Sequence, residues 1–290
     1  MSYATLQEIV DASIKESLPF WKIVMKEDCL DRGVTEEESI KTMEQMLIAM
    51  HEADDGYNPS LRSASGLAGG DGQKLEDFRK QKNRLIGDFL TEVMEKAVKM
   101  GESNACMRRI VAVPTAGSCG VIPAVLLTYE KQKEVSTERI IEALYVAGGI
   151  GTAIALSASI SGAEGGCQAE IGSASAMAAG AITYLEGGDL EQITHASALA
   201  LKNMLGLTCD PVAGLVEVPC IKRNVSGAVN AVIASQMVMA GIRSAISPDE
   251  VIDSMRRIGK NLPSCLKETS KEGLATTPTG MKVAAFCQGL

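Results

Sequence analysis

Apolar residues recur at helical spacing along almost the whole of this 290-residue chain. Leu6, Ile9, Val10, Ile14, Leu18 and Ile23 mark an amphipathic stretch over residues 4–27, and Pro19 is its expected break because proline lacks the amide donor that a helix interior needs. Thr35-Glu-Glu-Glu38 has the capping-box pattern, a hydroxyl and a carboxylate three residues apart that satisfy each other's free amides, and predicts a helix to about Ala53. Leu75, Phe78, Leu85, Phe89, Val93 and Ala97 predict one long amphipathic helix over 74–100. Further helices are expected over 121–131, 136–149, 169–185, 189–205 and 247–259. The first has Pro123 in its opening turn, the fourth an Asp189 to Gln192 cap, and the last the tetrapeptide Ser247-Pro-Asp-Glu250. Gly148-Gly-Ile-Gly151 should break or kink the second. Alternating strand runs and Asn-Gly hairpin turns are lacking, so the expected fold is all-α. It is read as a single large helical domain over 1–290, with buried central helices rich in small residues and a mobile tail at 281–290.

Composition sharpens this picture. Hydrophobic residues make up 46% of the chain but aromatics only 3%, so Ala, Gly, Val, Ile, Leu and 14 Met must fill the interior, which suits closely packed helices. A net charge of −8, with basic residues scattered among acids, argues against nucleic-acid binding. Residues 143–163 and 224–242 carry no charge and reach transmembrane length, but Gly, Ser, Asn and Gln dilute both, so they read as core helices and not as membrane spans. Eight dispersed cysteines and an N-terminus without basic and apolar signal regions place the chain in a reducing cytoplasm.

Three of those cysteines sit in glycine- or proline-rich turns: Gly165-Gly-Cys167-Gln, Leu207-Thr-Cys209-Asp-Pro211 and Val218-Pro-Cys220-Ile221. Thiols at element ends can converge from separate segments, and three thiolates in one pocket can hold a metal cluster; no Cys-x-x-Cys pair supports a zinc finger. Cys167 precedes a helix, whose positive end favours a thiolate. Cys119, in a tight turn, reads as a packing thiol.

Two segments could cradle a carboxylate. The loop Ser63-Ala-Ser65-Gly66-Leu-Ala-Gly-Gly-Asp-Gly72 exposes several amides, unless it is only a flexible connection, and Thr115 and Ser118 lie at the start of the helix after Gly120. Lys222 and Arg223, just past Cys220, could pair with a carboxylate or offset cluster charge, or be merely solvated. His51 reads as a solvated helix end and His195 as a packed side chain. The 148–151 glycines fail as a dinucleotide fingerprint, having no preceding strand and no third glycine at 154.

Pro114-Thr-Ala-Gly-Ser-Cys-Gly-Val-Ile-Pro123, Glu164-Gly-Gly-Cys-Gln-Ala-Glu170, Gly206-Leu-Thr-Cys-Asp-Pro-Val212 and Val218-Pro-Cys-Ile-Lys-Arg-Asn224 together resemble the alpha chain, or catalytic domain, of iron–sulfur-dependent L-serine dehydratases. The likeness spans roughly residues 63–280. It implies a [4Fe-4S] cluster on Cys167, Cys209 and Cys220, with one iron open to L-serine. The two cradles and the nearby cation make Ser63, Ser65, Gly66, Thr115, Ser118 and Lys222 the candidate substrate-binding residues, and the family places a similar Ser-Ala-Ser-Gly-Leu segment at its site. Cys287, in the apolar tail, is expected to ligate the fourth iron at rest. Single-chain members carry an extra N-terminal domain with a Ser-Ser-Ser-His-Thr segment, absent here, so a separate beta chain is expected as the source of the catalytic base, which this sequence does not reveal. An L-cysteine desulfidase of the same cluster type and a non-catalytic, cluster-bearing redox sensor are the alternatives. A pyridoxal-phosphate enzyme fits less well, because no lysine lies in a phosphate-loop context.

Overall fold

A computed structural model describes residues 3–81 and 84–289. Among these residues there are thirteen α-helices and no strand; the extended pairing is limited to a single bridge between Cys209 and Lys267. The helices are α1 (Leu6–Glu16), α2 (Phe20–Arg32), α3 (Glu36–Asp55), α4 (Asp71–Arg79), α5 (Asp88–Ala105), α6 (Val121–Lys133), α7 (Thr137–Ser157), α8 (Gly162–Gly165), α9 (Ser173–Leu185), α10 (Leu190–Lys202), α11 (Cys220–Met239), α12 (Pro248–Asn261) and α13 (Pro278–Gln288). The all-α expectation holds. Capping boxes form at Thr35, Asp189 and Ser247, each accepting from the amide three residues on.

Helix α9 is the centre of the molecule. All of its residues from Ser173 to Thr183 are buried, and it packs against α6, α7, α10 and α11. Its Ala, Ser and Gly side chains let these neighbours come close: a methyl group on Gly180 would strike Ile150 of α7 and Ser197 of α10. Two hydroxyls in this interior are paired, Ser175 donating to the Gly227 carbonyl at 2.8 Å and Thr183 to Ser235 at 2.9 Å, whereas the buried Ser173 hydroxyl has no partner among the described residues. The apolar helix α7 is long enough to cross a membrane, but most of that stretch is buried inside the protein.

Two expectations change, and the tail gains a structure. Gly148 to Gly151 does not interrupt α7, because a side chain at Gly149 would collide with Val24 and Phe20, and one at Gly151 with Met177; these glycines are contact points within a continuous helix. The helix expected over 74–100 is two helices, α4 ending at Arg79 and α5 opening after Gly87, while residues 82 and 83 lie outside the described residues. The apolar stretch misled because its side chains do not share a buried face: Leu85 is fully exposed and Phe78 partly so. Finally, residues 281–288 are helical in α13, which packs on the turns at 212–214 and 273–276 and leaves Met281 and Phe286 exposed.

Candidate functional site

The three turns that carry Cys167, Cys209 and Cys220 converge. All three thiols are free and buried. Each turn is held by its own polar contacts. Cys167 lies between Gly166, at φ +77°, and the buried Gln168; a Cβ at Gly166 would come within 2.8 Å of Leu262 and 2.9 Å of the Leu207 carbonyl, so only glycine fits. The Gln168 amide donates to the Leu207 carbonyl at 3.0 Å, its side-chain oxygen accepts from the Gly206 amide at 2.9 Å, and its side-chain nitrogen donates to the Met255 carbonyl at 3.0 Å. Cys209 is fixed through its backbone, its amide donating to the Leu266 carbonyl at 2.9 Å and its carbonyl accepting from Glu268 at 2.8 Å. Cys220 opens α11.

Arg223, one turn into α11, ties the three turns together. Its guanidinium donates to the Thr208 carbonyl at 2.7 Å and to Asp210 at 2.9 Å, and it hydrogen-bonds the Cys167 thiol. The sequence offered Lys222 and Arg223 as equal candidates. Only Arg223 reaches the thiols, because Lys222 points outward and pairs with Asp71 at 2.6 Å.

Burial governs the thiols, against the expectation that a helix end would favour the thiolate at Cys167. Desolvation pushes Cys167 up to about 11 and Cys220 to about 12, and Cys209 higher still, with the neighbouring thiols and Glu170 adding to the rise. The three therefore lie within range of one another's charge. Among the described residues no group of three or more His, Cys, Asp or Glu side chains is placed to hold a single metal ion.

Glu170 is the residue the sequence reading passed over. It is half-buried one helical turn after Cys167, with Oε1 accepting from the Thr115 hydroxyl at 2.7 Å and Oε2 standing 3.9 Å from the Cys209 sulfur. Its carboxyl is raised by burial, partly offset by the Thr115 hydrogen bond. Two glycines make room for it. A Cβ at Gly162 would lie 2.7 Å from Oε2 and 3.1 Å from the Cys209 sulfur, and one at Gly117 would lie 3.1 Å from Oε1. The available signal was its three-residue spacing from Cys167 at the start of a helix.

Both expected anion cradles are occupied from within. In the 63–72 loop, Gly69, Asp71 and Gly72 donate their amides to the buried Glu102 carboxylate at 3.1, 2.8 and 3.1 Å, and the Ser63 and Ser65 hydroxyls donate to the buried Glu217 at 2.8 and 2.6 Å. Gly66, at φ +76°, shapes the turn between those serines and Ala68. The loop is thereby anchored to α5 and to the turn before Cys220. In the second segment, Ser118 and Cys119 donate their amides within their own turn and Gly120 donates to Asn224 at 2.8 Å, while the Ser118 hydroxyl lies 3.1 Å from that of Thr115. Thr115 thus faces the thiols through Glu170.

The remaining candidates fall elsewhere. Cys119 is fully buried, consistent with packing, and burial raises it to about 12. His195 accepts from the Ser244 amide at 3.1 Å, and His51 stands 2.9 Å from Glu130 in a charged cleft between α3 and α6. Cys287 is half-buried near the end of α13, a helix that packs on the turns at 212–214 and 273–276.

The model of the family described as serine dehydratase alpha chain matches residues 15–275. The chain is 43% identical over 281 residues to the probable L-serine dehydratase alpha chain of Bacillus subtilis, covering 97% of this chain and 94% of that one. It is 38% identical over 280 residues to the L-serine dehydratase alpha chain of Peptoniphilus asaccharolyticus, covering 96% of each. The L-serine dehydratase of Streptomyces coelicolor is 38% identical over 264 residues, which are 89% of this chain and 52% of that protein.

Proposed function

The chain belongs to the serine dehydratase alpha chain family, and on that premise we propose that it is the alpha chain of an L-serine dehydratase. It would be a lyase that eliminates water from L-serine. Loss of the α-proton and the β-hydroxide leaves 2-aminoacrylate, and its tautomerisation and hydrolysis return the water and give pyruvate and ammonia. The observation that carries this reading is the meeting of three buried, unbonded thiols from three separate turns. Cys167, Cys209 and Cys220 would hold a [4Fe-4S] cluster. When bound, that group supplies a Lewis acid able to polarise a poor leaving group such as hydroxide.

The chain's own residues do the rest. Arg223 keeps the 208–210 turn and the Cys167 thiol in register and places a fixed cation beside ligands that become anionic. Because burial keeps the thiols protonated at neutral pH, ligation must displace their protons. Gly162, Gly166 and Gln168 are buried beside the thiols, and burial strengthens the charge interactions there. Ser63, Ser65 and Lys222 anchor the 63–72 loop, which with Gly66 would present its face to the substrate, and Thr115 and Ser118 order the turn that supports Glu170. Cys287, on α13, would be the thiol that holds the fourth iron when substrate is absent.

Relatives named alpha chains match this chain over nearly their full length, whereas the Streptomyces enzyme is about twice as long. A separate beta chain providing the remainder, and with it the base that takes the α-proton, completes the proposal. Anaerobic co-purification with such a partner, iron and sulfide analysis, and a pyruvate assay test it. Turnover of L-serine with iron and sulfide present supports the reading. Preference for L-cysteine with release of sulfide would assign the desulfidase activity instead, and a loaded complex inert to both would leave a sensor.

A further inference from the structure

Glu170 is the carboxylate that meets both the Thr115 hydroxyl and the Cys209 thiol, and among the described residues no ion pair to it is formed. Asp210 is neutralised by Arg223 at 2.9 Å and accepts a further hydrogen bond from the Leu274 amide at 2.9 Å. Glu170 has the neutral Thr115 hydroxyl and the Cys209 thiol as its partners, and among the described residues the charge that bears on it is that of another acid, Glu268. Arg223, the cation of the site, is committed to Thr208, Asp210 and Cys167. An unanswered carboxylate in a half-buried position is costly unless a positive group arrives to meet it. The two glycines beside it, Gly117 and Gly162, leave its oxygens uncrowded where any side chain would press on them.

We propose that Glu170 receives the ammonium group of the amino-acid substrate. The inference rests on the serine reading for the substrate's identity, but its chemical content is broader: the site selects an α-ammonium acid over the corresponding α-hydroxy acid. A substrate seated on Glu170 lies beside Cys209, so its β-substituent can face the thiols while its α-carbon stays on the Thr115 side. Charge complementarity here sets affinity and selectivity, and Glu170 acts on the substrate directly.

The test uses the anaerobically loaded complex with its partner chain and compares wild type, Glu170→Gln and Glu170→Asp. For Glu170→Gln, KM for L-serine should rise about 10- to 100-fold, the range expected when one charge-assisted hydrogen bond is lost, while kcat changes far less. Competition by L-glycerate, in which a hydroxyl replaces the ammonium, should become nearly as effective as that by an amino acid of the same size. Glu170→Asp should recover part of the selectivity. Iron content and cluster absorbance should match wild type, and the substrate-induced change in that absorbance gives a Kd without turnover. An unchanged KM and Kd would overturn the proposal. So would a collapse of kcat at constant KM, which assigns Glu170 to proton transfer, or loss of iron from both variants, which makes it a support for Cys209. A wild-type complex that binds and converts L-cysteine instead of L-serine would sink only the serine reading, and the same comparison would then be made with L-cysteine.

Discussion

Replacing Cys167, Cys209 or Cys220 singly with Ala removes one of three thiols that the fold gathers from segments far apart in sequence. Each variant should lose cluster absorbance and serine turnover while keeping its far-ultraviolet circular dichroism, because the surrounding helices draw their stability from α9 and its neighbours. Full iron content in all three would remove the cysteines from the site. At this scale the sequence was informative about residue type and weak about pairing. Turn-forming Gly and Pro marked the three cysteines, yet nothing in the local order of Lys222 and Arg223 said which would turn inward. That choice follows from helix phase: Arg223 falls on the face of α11 that meets Asp210, and its neighbour falls on the face that meets Asp71. Glu170 was invisible for a similar reason, since its significance lies in Thr115 and Cys209 reaching it from other segments.

Helix α4 is held by charge more than by apolar packing; of its residues only Gly72 is buried. Arg79 pairs with Glu95 at 2.8 Å and Glu92 at 2.9 Å, Glu76 with Lys99 at 2.9 Å, and the preceding amides with Glu102. A helix that buries so little gains little from the hydrophobic effect, so its attachment should respond to pH. Hydrogen bonding from Lys99 lowers Glu76 to about 2. A carboxyl depressed in the folded state contributes stability above its ordinary value near 4.5 and loses it as pH falls toward the folded value. Amide exchange in residues 71–79 should therefore accelerate, relative to α9, between about pH 4.5 and about pH 2. Equal acceleration in both helices would show that α4 has no separate electrostatic attachment. The same element explains why a single helix over 74–100 was expected: Leu75, Phe78 and Leu85 continue the spacing of Phe89, Val93 and Ala97, but periodicity reports spacing and not burial.

The whole molecule is a set of helices closed around α9, and its interior is filled by small side chains at short separation. Gly180→Ala tests how tight that interior is. Alanine raises helix propensity by about 1 kcal/mol over glycine, whereas forcing a methyl group into a packed interface costs about 1–3 kcal/mol. With Ile150 and Ser197 both in the way, crowding should win, and the variant should be less stable by about 1–2 kcal/mol in denaturant melts. A gain in stability would mean that the α7, α9 and α10 contacts are looser than they stand here. Helical class, most helix boundaries, the capping boxes and the three cysteine turns were all legible in the sequence by itself, because each depends on residues within a few positions of one another. The continuity of α7 through its glycines, the break between α4 and α5, the filling of both anion cradles by Glu102, Glu217 and Asn224, and the gathering of Arg223 and Glu170 at the thiols were decided only by tertiary structure. Each of these turns on a partner tens of residues away or more, whose position is set by how whole helices pack, and no local pattern of spacing or composition encodes that distance.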